Sequence, residues 1–209
     1  MCVDMTQIIE DIIALEWDLV NQVDTSTEKE PCLYDKTIFT SNRKNLLAAW
    51  SRELQESYYK DLFTAQIEGR NPISEKYRYM LEQTNPEEYR KIKENQPEQS
   101  MEKLFLMDWI SENLLEWQES LAQKYPRLVG NKKMIRRNLE NRAQKTFETY
   151  MRGDLVTFSV KTLRVYAAYI EHLKKHGLNL NQMIFQNAVA QYGCQTLEEA
   201  EQLLKRHHQ

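Results

Sequence analysis

Glycine and proline number only five each in a chain of 209 residues. Hairpins and sandwiches need turn residues every ~8–12 positions, so this scarcity argues against an all-β fold. Cysteine is scarcer still. Cys2, Cys32 and Cys194 lack metal-ligand spacing and cannot all pair; with no export signal, reduced thiols in the cytoplasm are the expectation. The apolar run Ile8–Leu15 is interrupted by Glu10 and Asp11 and follows no basic segment, so it does not read as a signal peptide. No uncharged stretch approaches the ~20 residues that span a bilayer, and no membrane association is expected. An excess of charge is missing too: the formal net charge of −3 gives no global pull towards nucleic acid. Enzyme motifs are also absent from the sequence, which has no Walker loop, dinucleotide glycine fingerprint, nucleophile elbow, His-Glu-x-x-His or Cys-x-x-Cys. No cofactor and no metal is expected.

What is present favours helices. Hydrophobic residues make up 41% and charged residues 28%, a globular balance, and Leu, Glu, Gln, Lys, Arg and Met lose little rotamer freedom in a helix. Ile9, Ile12, Ile13, Trp17, Val20 and Val23 recur at three- and four-residue steps, predicting a helix over about Met5 to Val23 with Asp4 or Thr6 as cap. Asp24–Pro31 reads as a polar loop. A long helix is then expected from Ile38 to Glu68, ending at Gly69. Asn71-Pro72 and Asn85-Pro86 each put a capping side chain before a proline, so short helices should follow both. The segment Ser100–Lys124 is apolar on more than one face and is expected to be the buried central helix. Gly130–Arg142 reads as a polar loop. Helices should then cover Lys145–Val156, Ser159–His176, Leu180–Tyr192 and Thr196 to the end, the last opened by a Thr196/Glu199 capping box. The expected fold is an all-α, single-domain, irregular bundle of about nine helices.

Charges that fall on apolar stripes are the candidates for chemistry. Glu16 lies in line with Ile9, Ile12, Ile13, Val20 and Val23; Arg43 lies one turn from Phe39 and Leu47; Asp61 lies near Trp50, Leu54 and Ala65. A buried charge costs several kcal/mol, on the order of the penalty for leaving it unpaired, unless a partner compensates it. These residues therefore form an ion pair that fixes helix register, or they line a polar pocket. A second cluster is Glu148, Tyr150, Arg152, Asp154 and Ser159, in which the Glu148–Arg152 spacing suits a surface i,i+4 pair. Lys132, Lys133, Arg136, Arg137, Arg142 and Lys145 form a basic stretch opposed only by Glu140, but it has no interleaved aromatic residues, so a solvated loop is expected over an RNA contact. His172 and His176 are one turn apart and read as a solvated helix end. The four tryptophans, Trp17, Trp50, Trp109 and Trp117, have core spacing. Cys32 has no activating neighbour close in sequence.

Several stretches carry a resemblance. They are Glu16-Trp17; Tyr59-Lys60-Asp61-Leu62 with Ala65; Gly69-Arg70-Asn71 followed by Lys76-Tyr77; and Thr84-Asn85-Pro86 ahead of Tyr89. To these are added Phe147 through Leu155 with Ser159 and Thr162-Leu163, and Tyr192-Gly193 with Leu197 through Glu201. Together they resemble an uncharacterised bacterial family, the domain of unknown function numbered forty-one twenty-five. The family pattern has a Gly-Gly-Arg-Ala element before a Cys-Gln pair; here that place reads Thr27 through Leu33 and keeps only Cys32. The resemblance implies a helical fold and, because relatives sometimes occur beside or joined to nucleotidyltransferase-like domains, an accessory role with a protein partner of that kind; the charges on apolar stripes suggest a small ligand as the other partner. Nucleic acid is not an expected partner. Three functions remain open: a ligand-binding or accessory module with a polar pocket, a motif-less small-molecule enzyme using carboxylate acid/base residues, or an RNA- or nucleotide-associated accessory protein that would act through the basic stretch. Catalytic candidates are Glu16, Arg43, Asp61, Glu148 and Asp154, and ligand-contact candidates are Trp17, Trp50, Arg70, Asn71, Lys76 and Tyr150.

Overall fold

Side-chain caps decide where the helices of this chain begin. The computed structural model describes residues 5–23, 35–93, 98–130, 134–138 and 143–207. Asp35 accepts from the amides of Thr37 and Ile38, Asn71 from Ile73 and Ser74, Ser100 from Lys103, Ser159 from Thr162 and Asn179 from Gln182. Each cap satisfies an amide that the first turn leaves without an intrahelical partner. Gly69 and Gly177 close two helices at φ 67° and 65°, a left-handed conformation that favours glycine.

Eleven helices result among the described residues: α1 (Met5–Asn21), α2 (Lys36–Ala48), α3 (Arg52–Ile67), α4 (Pro72–Thr84), α5 (Pro86–Lys93), α6 (Met101–Lys124), α7 (Pro126–Val129), α8 (Phe147–Leu155), α9 (Val160–Lys175), α10 (Leu180–Gln191) and α11 (Leu197–His207). No strand occurs among them. The count exceeds nine for two reasons. The helix expected over Ile38–Glu68 is two helices, because Ser51 is extended and its hydroxyl caps the Leu54 amide. The buried Gln55 amide then donates to the Leu47 carbonyl at 2.8 Å, joining the Trp50 amide on that acceptor and tying α3 back to the end of α2. The second addition is the single turn α7 after Tyr125. No helix among the described residues is long and apolar enough to cross a membrane.

Other expectations hold with small differences. Thr196 accepts from the Glu199 amide as expected, but Glu199 reaches back to the Gln195 amide instead of that of Thr196. Residues 134–138 of the polar stretch form no regular helix. The cap expected from Asp4, the Asp24–Pro31 loop, Cys2, Cys32 and the Thr27–Leu33 departure lie outside the described residues.

The central helix is where the apolar pattern puts it. α6 packs against α7, α8, α9 and α10, and Ile110 and Leu115 are fully buried. Truncating such a side chain to alanine costs about 2–5 kcal/mol. The α1, α3 and α9 helices stack in that order on one flank, while α2 lies across α1 and α10. α4 packs against α8 so closely that a Cβ on Gly153 would meet Met80 Cγ at 3.0 Å and Lys76 Cγ at 3.1 Å. A smaller core of Leu121, Tyr125, Val189, Cys194, Leu197 and Ala200 seats α11. The buried Glu201 carboxylate completes that join by accepting from the α7 amides of Arg127 (3.0 Å) and Leu128 (2.8 Å).

Candidate functional site

Glu16 is only 1% exposed, so its carboxylate has to be compensated inside the protein. Arg43 of α2 does this with a forked bridge, Nε to Oε2 at 2.7 Å and Nη2 to Oε1 at 2.5 Å. Tyr58 of α3 adds its hydroxyl to Oε1 at 2.7 Å. One carboxylate thereby ties together three helices through charge-assisted hydrogen bonds. Burial alone would lower the Arg43 pKa, but the adjacent Glu16 carboxylate outweighs it and holds the guanidinium above its ordinary value. Burial and then Glu16 push the Tyr58 phenol well up, so it remains a neutral donor.

Beyond Arg43 the helices leave a cavity of about 170 Å³. Arg43 and Leu46 of α2, Trp50 at the α2–α3 break, and Tyr58 of α3 form one side. Phe147, Tyr150, Met151, Asp154 and Leu155 of α8 form another, with Phe158 in the turn after it. Tyr166 of α9, Leu114 of α6, and Asn181 and Ile184 of α10 close the remainder. The aromatic walls brace one another. Trp50 meets Tyr58 edge-on at 5.4 Å between ring centroids, and Tyr58 meets Phe158 at 4.9 Å. The Trp50 indole N–H is buried and makes no hydrogen bond, although it lies near enough to Tyr166 to oppose the rise in that phenol's pKa. That rise is due to burial first and to the Asp154 charge second.

Asp154 is the cavity's acid. Its Oδ1 pairs with Lys76 Nζ of α4 at 2.8 Å, and Lys76 Nζ also lies 5.6 Å from the Tyr150 ring centroid. The Asp154 charge also contributes to the raised Arg43 pKa, so the two cavity charges are within Coulombic reach. Asn181 Nδ2 is committed to Leu114 O and Gln118 Oε1, both at 2.9 Å.

Of the sequence candidates, Arg43, Trp50, Tyr150 and Asp154 therefore share one cavity, Glu16 stands directly behind Arg43, and Lys76 is joined through Asp154. The others lie elsewhere. Glu148 is buried outside this cavity, where it accepts from the Arg137 amide (2.9 Å), Arg137 Nε (3.0 Å) and Arg152 Nε (2.9 Å). It is thus more than a surface i,i+4 pair. Burial would raise its pKa, but the Arg137 amide and the two guanidinium groups hold it below the ordinary value. Asp61 caps α9 by accepting from the Ser159 amide at 2.8 Å. Trp17 is half-buried against Phe39, Arg70 bridges Glu68 and Glu75, and Asn71 caps α4 while donating to Leu19 O at 2.8 Å. The Asp61 position follows from its place one face round from the α3 stripe, which sequence periodicity had merged with the apolar one.

Tyr58, Phe147, Phe158, Tyr166 and Asn181 are cavity residues that sequence spacing did not mark; an aromatic at a core position looks alike whether it meets another side chain or a void. Two larger grooves flank Tyr79, whose hydroxyl accepts from Gln99 Nε2 at 2.7 Å. One is bordered by Arg137, Arg152 and Gly153, the other by Asp61, Arg70 and Lys103. In the second, burial lowers the Lys103 pKa, and its Nζ donates to Val156 O at 2.6 Å. In the basic stretch, Arg136 is held by Glu112 and Glu119 and Arg137 by Glu148, while Lys132, Lys133 and Arg142 lie outside the described residues. Among the described residues no group of three His, Cys, Asp or Glu side chains is placed to hold a metal ion.

The family model described as protein of unknown function (DUF4125) matches residues 6–202, and the chain belongs to that family. No curated protein and no solved structure matches the chain.

Proposed function

We propose that this member of the DUF4125 family is a small-molecule-binding protein whose ligand occupies the cavity between α2, α3, α8, α9 and α10. The observation that carries this reading is that Arg43 and Asp154, from separate helices, face one aromatic-walled space of about 170 Å³. The space opens to solvent on its Asp154 side, where that side chain is 43% exposed, so a ligand has a way in. A void of roughly 150 Å³ is enough to take a benzene-sized guest. The cavity is smaller than the ~300–1,000 Å³ sites of drug-sized ligands, so it suits a compact ligand. A few convergent polar groups on apolar walls is also the usual composition of a binding pocket.

The test is titration of the full chain with phenethyl alcohol, a neutral probe of about this size, while observing the Trp50 indole N–H resonance by NMR. The signal is identified by its loss in Trp50→Phe. Saturable displacement of that resonance is the expected result, and Ile184→Trp, which fills the cavity, should abolish it. An unmoved Trp50 signal at millimolar probe would refute the reading.

A further inference from the structure

Two ion pairs meet at the cavity wall, and each has a used side and an unused one. The Glu16 bridge takes Nε and Nη2 of Arg43, which leaves the Nη1 edge of a guanidinium that lines the cavity. Lys76 takes Oδ1 of Asp154, which leaves Oδ2 of a carboxylate that is 43% exposed. The wall therefore offers a cation and an anion within Coulombic reach, and its formal charges cancel: Arg43 against Glu16, Lys76 against Asp154.

That balance selects among guests. A lone carboxylate would satisfy Arg43 but bring an uncompensated negative charge beside Asp154. A lone ammonium would satisfy Asp154 but stand near Arg43 and Lys76. Either guest would bring a net charge against the Trp50, Tyr58, Phe158 and Tyr166 rings, which offer it no counter-charge. A neutral alcohol would leave both charged edges unspent. A guest with carboxylate and ammonium on one carbon offers a partner to each edge and keeps the net charge at zero. With the charged end at the exposed Asp154 side, the space of about 170 Å³ takes an apolar body of about one ring.

We infer that the cavity recognises a zwitterion with a compact apolar side chain, which is the chemistry of a free hydrophobic α-amino acid. The inference rests on the ligand-binding reading above and adds the ligand class to it. Arg43 takes the carboxylate, Asp154 takes the ammonium, and the aromatic rings enclose the side chain. Glu16 and Tyr58 are positioning residues, because they hold Arg43 and do not face the guest's charges themselves.

The experiment is calorimetric titration of the full chain with L-phenylalanine, hydrocinnamate, phenethylamine and phenethyl alcohol, with the Trp50 indole resonance confirming the place of binding. These probes share a phenethyl core and differ in the charged groups it carries: both, the carboxylate, the ammonium, or neither. L-phenylalanine should bind roughly 10- to 100-fold more tightly than either singly charged probe, the range expected for a charged hydrogen bond. Asp154→Asn should bring L-phenylalanine down to the level of hydrocinnamate. If phenethyl alcohol or a singly charged probe binds as tightly as L-phenylalanine, the zwitterion assignment is overturned and the ligand pocket survives. A preference that persists in Asp154→Asn overturns the role given to Asp154. If no probe moves Trp50, phenethyl alcohol included, the pocket reading fails along with the assignment. Should Asp154→Asn fail to fold, the wild-type probe series decides by itself.

Discussion

Replacing Glu16 by Gln preserves the side chain's shape, removes its charge and turns one of its two acceptor oxygens into a donor. Arg43 then keeps one acceptor at best, and its guanidinium loses the carboxylate that compensates its charge at a site only 19% exposed. Breaking a buried pair by removing one partner costs ~3–5 kcal/mol. The partial exposure of Arg43 at the cavity puts this case at the lower end, about 3 kcal/mol. For a chain of this size, where each kcal/mol moves Tm by about 2–4 °C, that is about 6–12 °C. Removing both partners in Glu16→Met/Arg43→Met should be milder. It leaves no stranded charge, only the Tyr58 hydroxyl without its acceptor, for a loss of about 1–2 kcal/mol. Urea unfolding at neutral pH, followed by tryptophan fluorescence with the m-value checked for constancy, measures both. The decisive quantity is the order of the variants. If the double variant loses at least as much as Glu16→Gln, or if Glu16→Gln stays within about 0.5 kcal/mol of wild type, the pair is not the compensated buried charge described above.

Three further outcomes are expected. Gly153→Ala should destabilise by about 1 kcal/mol in urea unfolding: alanine gains up to ~1 kcal/mol of helix propensity, but its Cβ overpacks Met80 and Lys76 across the α4–α8 contact. A stabilised variant would show that α4 can yield. Glu201→Ala should cost about 2 kcal/mol and speed hydrogen exchange at the Arg127 and Leu128 amides, because both lose their acceptor; unchanged exchange there would refute the clasp. Glu148 supplies the pH prediction. Its folded pKa lies below the ordinary 4.5, so its stabilising contribution is complete above that value and is lost as pH falls through the lower folded pKa. The stability gap between wild type and Glu148→Gln should therefore shrink at acid pH, and a gap constant from pH 7 to about 3 would contradict it.

The helices were legible in sequence because caps are local. Asn71-Pro72, Asn85-Pro86 and Thr196 act within a few residues of themselves, and their hydrogen bonds occur as expected, Glu199 reaching one residue further back. The break before α3 was equally local, written in Ser51 ahead of Leu54, but the apolar stripe running through Leu47, Trp50 and Leu54 hid it. A continuous stripe reports a continuous buried face, which two helices can share. The site was legible only as a set of anomalies. Periodicity showed that Glu16, Arg43 and Asp61 lie near apolar faces. It could not show that Arg43 turns to Glu16 across 27 positions while Asp61 turns to the Ser159 amide across 98. Likewise, Glu148 and Asp154 lie six residues apart on α8; the first meets Arg137 and the second faces the cavity. Which of them faces the pocket depends on how α2, α3 and α10 stand across it from α8, a long-range fact without a local signature.

The register ion pair and the polar pocket, which the sequence presents as alternatives, are two sides of one guanidinium. A buried ion pair is weak support for stability, since well-packed apolar residues of similar volume often serve as well or better. If Glu16 and Arg43 only joined α1 to α2, Leu or Met in their places would do that with less desolvation. What an apolar pair could not do is hold a charged fork still at the edge of a cavity. The Glu16 carboxylate fixes one edge of Arg43, Tyr58 fixes the carboxylate, and the aromatic contacts of Tyr58 with Trp50 and Phe158 fix the phenol. A donor immobilised in this way loses little further entropy when a ligand binds to it, which is the physical content of preorganisation. The expected consequence separates the two roles. Tyr58→Phe should leave the fold standing, at a cost of about 1–2 kcal/mol, yet weaken a carboxylate-bearing ligand by several-fold through a loosened Arg43. Equal affinity in Tyr58→Phe and wild type would mean that Arg43 is held by Glu16 alone, and that the phenol serves only the packing of α1 against α3.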